Sequence, residues 1–91
     1  MKKQQTPDEV CAEANGQKIR LDIRLLDKDM VVIQGNKRTL EFVGKLLLAQ
    51  ARSKGDCGFQ LSPTGPGRKF FRRSSAYGLY IHLLPCQSSR V

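Results

Sequence analysis

Three cysteines, a single histidine and scattered carboxylates are the side chains of this sequence best suited to chemistry, and their spacing limits what they can do. Cys11, Cys57 and Cys86 stand far apart, with no Cys-x-x-Cys pair and only His82 to complete a ligand set. Neither a disulfide framework nor a zinc site is expected, and the thiols read as buried or incidental ones in a reducing compartment. His82 lies between Ile81 and Leu83, without a serine or cysteine at a spacing that marks a nucleophile, and reads as a surface or rim histidine. Asp22, Asp27, Asp29, Glu41 and Asp56 are dispersed, and the Asp27/Asp29 pair flanks Lys28 as turn residues do. No catalytic residue, metal ligand or cofactor follows, and the sequence predicts a protein that is not an enzyme.

Binding chemistry is better represented. Sixteen Lys and Arg against eight Asp and Glu give a net charge of +8, which attracts polyanions or acidic protein surfaces. Within residues 66–73, Arg68, Lys69, Arg72 and Arg73 surround Phe70 and Phe71, the composition of a nucleic-acid contact loop that pairs phosphate binding with base stacking. The same segment also reads as core-edge rings kept from aggregating by solvated charges. The stretch from Ile33 to Arg38 feeds a helix start with basic residues beside it, which suits an anion. It holds one glycine and matches neither nucleotide-binding fingerprint.

These side chains depend on a scaffold organised around residues 30–55. Met30 to Ile33 form a short β-branched run, Gly35 breaks it, and Asn36 is placed to cap a helix over residues 37–53 that stops at Gly55. Leu40, Val43, Leu47 and Ala51 recur at helical steps, with Phe42, Leu46 and Ala49 widening that stripe. Upstream, residues 18–25 alternate: Ile19, Leu21, Ile23 and Leu25 point inward, Lys18, Arg20, Asp22 and Arg24 outward. The turn at residues 27–29 makes a hairpin with the following strand. Downstream, residues 57–61 and 77–84 alternate as two further strands, separated by a loop whose prolines and glycines cannot continue a central strand.

The expected fold is therefore α+β, β-β-α-β-β, with one helix packed on one face of a four-stranded, mainly antiparallel sheet. Residues 1–16 read as a loose tail with one weak helical turn after Pro7, residues 17–86 as a single domain, and residues 87–91 as a short C-terminal tail. The sheet's wet face would carry Lys18, Arg20, Asp22, Arg24, Gln60, Tyr80 and His82, which reads either as an ordinary solvated face or as a basic platform with ring faces for single-stranded bases. A domain of 91 residues buries about two-thirds of its unfolded surface, so a partner or a homodimer would add stability. Without a signal-peptide core or an apolar window of about eighteen residues, the protein is expected to be cytoplasmic and away from membranes.

The order of Met30–Gln34, Gly35-Asn36, the helix with Leu46-Leu47-Leu48 followed by Ala51, Phe59-Gln60-Leu61, and Ser74-Ser75 leading to Leu79-Tyr80-Ile81 resembles small bacterial immunity proteins of polymorphic toxin systems. The resemblance covers about residues 30–85. It implies a bacterial, non-enzymatic protein-binding module with no catalytic residues; the basic charge, which departs from the more acidic members of that family, points to an acidic protein partner. The alternative is a small basic domain binding single-stranded RNA or DNA.

Overall fold

The computed structural model describes residues 5–54 and 57–86. Its elements run α1 (Pro7–Ala14), β1 (Asp22–Asp27), β2 (Met30–Gln34), α2 (Lys37–Ala51), β3 (Gly58–Leu61), a 3-10 turn at Arg68–Phe70, and β4 (Leu79–His82), an α+β arrangement. The expected tail at residues 87–91 and the expected helix stop at Gly55 lie outside the described residues.

Helix α1 occupies the stretch expected as a loose tail. The Glu9 backbone N–H donates to Thr6 Oγ1 at 3.2 Å, while the Thr6 N–H donates to Glu9 Oε1 at 2.9 Å, a reciprocal capping box. Pro7 fits the first turn because its missing N–H would have no helical partner there. Eight residues form a marginal helix in isolation, so packing must hold this one: Val10 and Ala14 are buried in the core, against α2.

Helix α2 begins as expected, with the Thr39 N–H donating to Asn36 Oδ1 at 2.8 Å. Its buried side is Thr39, Phe42, Val43, Leu46, Ala49 and Gln50, whereas Leu40, Leu47 and Ala51 of the expected stripe are exposed. The three consecutive leucines make two adjacent faces almost equally apolar, and packing against α1 and β4 selects one of them.

The strands form two antiparallel pairs, β1–β2 and β3–β4, in place of the single four-stranded sheet. The reason lies at the edge of β1 away from β2, where the following loop takes the backbone groups that a third strand would need. Leu21 N–H donates to Phe70 O and Arg72 N–H to Leu21 O, both at 2.8 Å, and the Ala76 and Tyr77 N–H groups both donate to Ile23 O. Ser75 Oγ accepts from the Ile23 N–H at 2.9 Å and donates to Tyr77 O, so the serine pins the loop to the strand. Leu61 and Phe70 join Ile19, Leu21, Ile23, Phe42 and Leu46 in the core, with the Phe42 and Phe70 rings 4.8 Å apart. Gly67 adopts φ 77°, and any Cβ there would collide with the Leu61 side chain, so the turn that delivers Phe70 requires glycine.

Cys57 and Cys86 are disulfide-bonded, which corrects the expectation of incidental thiols. The β3–β4 register sets Gly58 opposite His82, and the turn at Pro85 returns Cys86 to Cys57. Closing a loop across a separation of 29 residues stabilises the fold by about 3–4 kcal/mol in the chain-entropy view. No helix among the described residues is long and apolar enough to cross a membrane.

Candidate functional site

Two surfaces have the chemistry of a binding site, and the first is the β1–β2 hairpin. Its register pairs Ile23 with Ile33 and Leu25 with Val31, which puts all four side chains on one face. Ile23 is 2% exposed, but Ile33, Leu25 and Val31 are 43%, 53% and 55% exposed. The apolar face thus starts in the core and continues past everything that covers it. Leu26 and Met30, near the turn, are exposed as well. Lys28 N–H donates to Asp27 Oδ1 at 2.7 Å, which assigns that aspartate to the turn, as expected. The outer edge of β2 pairs with no strand among the described residues, and Met30–Gln34 contains neither proline nor charge to blunt it. An apolar face beside an open edge offers main-chain hydrogen bonds and side-chain burial to an added strand.

The second surface surrounds the start of α2. Arg20, Gln34, Gly35, Asn36 and Arg72 line an open cleft of about 400 Å³. Several interactions aim these groups together. The Arg20 N–H donates to the buried Thr39 Oγ1 at 2.9 Å, fixing the arginine beside the first helical turn. Arg72 is held by its backbone bond to Leu21 O. Gly35 permits the close strand-to-helix approach, since a Cβ would meet Thr39 Cγ2 at 2.5 Å. Lys37 and Arg38 follow in the sequence, and the helix start adds its own partial positive charge. Among the described residues, neither Arg20 nor Arg72 forms an ion pair; the pairs are Arg24 with Asp22 at 3.4 Å and Lys37 with Glu41 at 2.9 Å.

Asp22, expected on the wet face, is buried beneath this surface. Its Oδ2 accepts from Gln34 Nε2 and Ser74 Oγ, each at 3.1 Å, while Oδ1 has no hydrogen-bond partner among the described residues. Burial pushes this carboxyl up, but the hydrogen bonds from Gln34 and Ser74, with Arg24 and Arg72 nearby, outweigh it and hold the group below the usual carboxylate value.

The remaining residues singled out in the sequence are divided among different places. Phe70 and Phe71 are 4% and 7% exposed, so they are core rings, as the core-edge alternative has it, and have no free face for a base, which corrects their candidacy as stacking residues. Lys69 donates to Asn15 Oδ1 and lies 5.5 Å over the Phe70 ring, while Arg68 and Arg73 are exposed. Lys18 and Arg20 precede β1, and only Arg24 lies within it. Tyr80 and His82 belong to β4, where their rings stack with centroids 5.7 Å apart. Because β1 and β4 belong to different sheets, the expected platform joining Lys18, Arg20 and Arg24 to Gln60, Tyr80 and His82 does not form as one sheet face.

Cys11 opens onto a depression of about 430 Å³ that Asp8, Phe59 and Lys69 also line. Burial, then Asp8, push its thiol up against the opposing pull of Lys69, the wrong direction for a nucleophilic thiolate. The hairpin surface does not emerge from the sequence reading, although one signal is present: Leu26 breaks the alternation after Leu25, placing apolar side chains on both sides of the strand. Comparison with protein-family models, curated proteins and solved structures finds no match for this chain.

Proposed function

We propose that this chain is a non-enzymatic protein-binding module, as its resemblance to small bacterial immunity proteins suggests, and that it captures an acidic partner through the β1–β2 hairpin. The observation that carries the reading is the apolar overhang of Leu25, Val31 and Ile33 beside the open edge of β2. A domain folded in water rarely leaves such a face bare without something to cover it. The basic cleft at Arg20 and Arg72 supplies the complementary field, which speeds encounter with an acidic surface more than it tightens the final complex.

A second reading, binding of single-stranded RNA or DNA, has that same cleft in its favour. It loses the two rings of the 66–73 loop, because Phe70 and Phe71 are buried, while the exposed Tyr80 stacks on His82 in the β3–β4 sheet, away from the sheet of Arg24.

The test is titration of the purified chain against the product of the adjacent gene, the natural candidate for a toxin-like partner, by biolayer interferometry. Val31→Lys with Ile33→Lys should weaken the complex at least about 100-fold, near 2.7 kcal/mol. Arg20→Gln with Arg72→Gln should mainly slow association at low salt. A complex indifferent to the hairpin substitutions, or no complex at all, removes this reading.

A further inference from the structure

The hairpin and the cleft leave unused the one cluster of ligand-type side chains among the described residues. Cys57, His82 and Cys86 each offer one ligand atom, and these atoms all lie within 4.8 Å of one another. Two stretches of chain bring them there: the residue before β3, and the end of β4 continuing through Pro85 to Cys86. The Gly58–His82 pairing and the Leu83 N–H donating to Cys57 O at 2.7 Å hold these two stretches in register beside the disulfide. Gln50 Nε2 donates to the same Cys57 carbonyl at 2.7 Å and ties it to α2.

We propose that, once the Cys57–Cys86 disulfide is reduced, Cys57, Cys86 and His82 form a binding site for one thiophilic divalent cation of the zinc class. Two thiolates and an imidazole are a soft, tetrahedral donor set, and three protein ligands leave the fourth position for water. Zinc bond lengths place such donors about 3.5–3.8 Å apart, inside the 4.8 Å spread of the three atoms. The Cα atoms of the two cysteines, 5.6 Å apart, need little movement for their sulfurs to separate to that distance. All three residues are partly exposed, so reductant and cation have access.

The chemistry balances with a dithiol as reductant. It gives two electrons and two protons to the disulfide, the S–S bond breaks, and the dithiol becomes a disulfide itself. The two new thiols release their protons to solvent as both sulfurs bind the cation as thiolates. One cluster thereby has two closed states, a covalent link when oxidised and a metal link when reduced, each tying the ends of β3 and β4.

The experiment uses Co²⁺ as a spectroscopic probe on the full chain, reduced with a non-thiol phosphine and compared with the oxidised protein. The expected result is one Co²⁺ per reduced chain, with thiolate charge-transfer and tetrahedral d–d bands, displaced by Zn²⁺ and absent from the oxidised chain. Cys11→Ser should leave the spectrum unchanged. His82→Gln, which keeps both sulfurs, should shift the d–d bands and weaken binding at least 10-fold. Far-UV circular dichroism covers the case in which reduction loosens the fold: recovery of structure on adding Zn²⁺ supports the site, and failure to recover overturns it. Absence of Co²⁺ bands in the reduced chain, or bands and affinity that His82→Gln leaves unchanged, overturns it as well.

Discussion

Asp22 shows how one carboxylate in an alternating strand can reverse its role. Position 22 is polar in the sequence and belongs, by period, to the solvent side; in the fold, Gln34, Ser74 and Arg24 gather around it and the loop closes over it. Those partners favour the charged form, so the folded-state value lies below that of the unfolded chain, about 3.9. A lowered value contributes stability that is fully present above the unfolded pKa and is lost as pH falls through the folded one. Asp22→Asn keeps an acceptor for Gln34 and Ser74 but cannot titrate. Urea midpoints at pH 7 and pH 3 should therefore differ more for the parent than for Asp22→Asn. Parallel losses in the two proteins would show that other carboxylates carry the acid sensitivity.

At the scale of elements, the finest distinction is which face of α2 turns inward. Leu46 is fully buried and Leu47 is 51% exposed, though they are neighbours in one leucine run. Leu46→Ala should cost about 2–5 kcal/mol through lost burial and a residual cavity. Leu47→Ala should stay within about 0.5 kcal/mol, as exposed substitutions usually do. Denaturant midpoints decide it, and equal losses would mean that the inward face is misassigned. What the sequence could reveal follows the same division. The inward positions of Ile19, Leu21 and Ile23, the Asn36 cap and the β1–β2 hairpin are legible because each is set by local period or capping chemistry. The capping box of α1 is equally local, but it sits in a polar stretch whose composition reads as a tail with no more than one weak helical turn. The split into two sheets is not legible, because it depends on the 70–77 loop occupying the edge of β1 through backbone groups that carry no sequence signature. Nor is the Cys57–Cys86 bond, since it depends on the β3–β4 register and the turn beyond it. Arg20 and Arg72 are legible as basic candidates, one on an expected strand and one in a loop, but their meeting at the start of α2 is not, because it depends on the loop crossing β1; the apolar half of the site is hidden because Leu25 fits the alternation of a core strand and is exposed only because the core ends at Ile23.

For the whole molecule, the question is what a net charge of +8 on 91 residues serves. The basic groups do not collect on one sheet face. Arg20 and Arg72 converge at α2, while Lys69 is held by Asn15 and Arg24 by Asp22. A field built this way attracts any polyanion, but the Phe70 and Phe71 rings are in the core and the exposed Tyr80 lies on the other sheet, so the loop and cleft lack the stacking that adds about 1–3 kcal/mol per base on single strands. Binding of single-stranded RNA should therefore be weak and almost wholly electrostatic, no tighter than about 10⁻⁴ M near physiological salt. At low salt, where binding becomes measurable, Arg20→Gln with Arg72→Gln should flatten the salt dependence by about 0.7 counterion for each phosphate that the arginines no longer neutralise. Phe71→Leu, by contrast, should alter melting temperature and leave the salt slope unchanged, because that ring acts only in the core. Micromolar RNA affinity at physiological salt, abolished by the double arginine substitution, would replace the protein-partner reading with the nucleic-acid one. Weak RNA binding combined with salt-sensitive association to an acidic protein would give the charge its role as a long-range guide toward the hairpin.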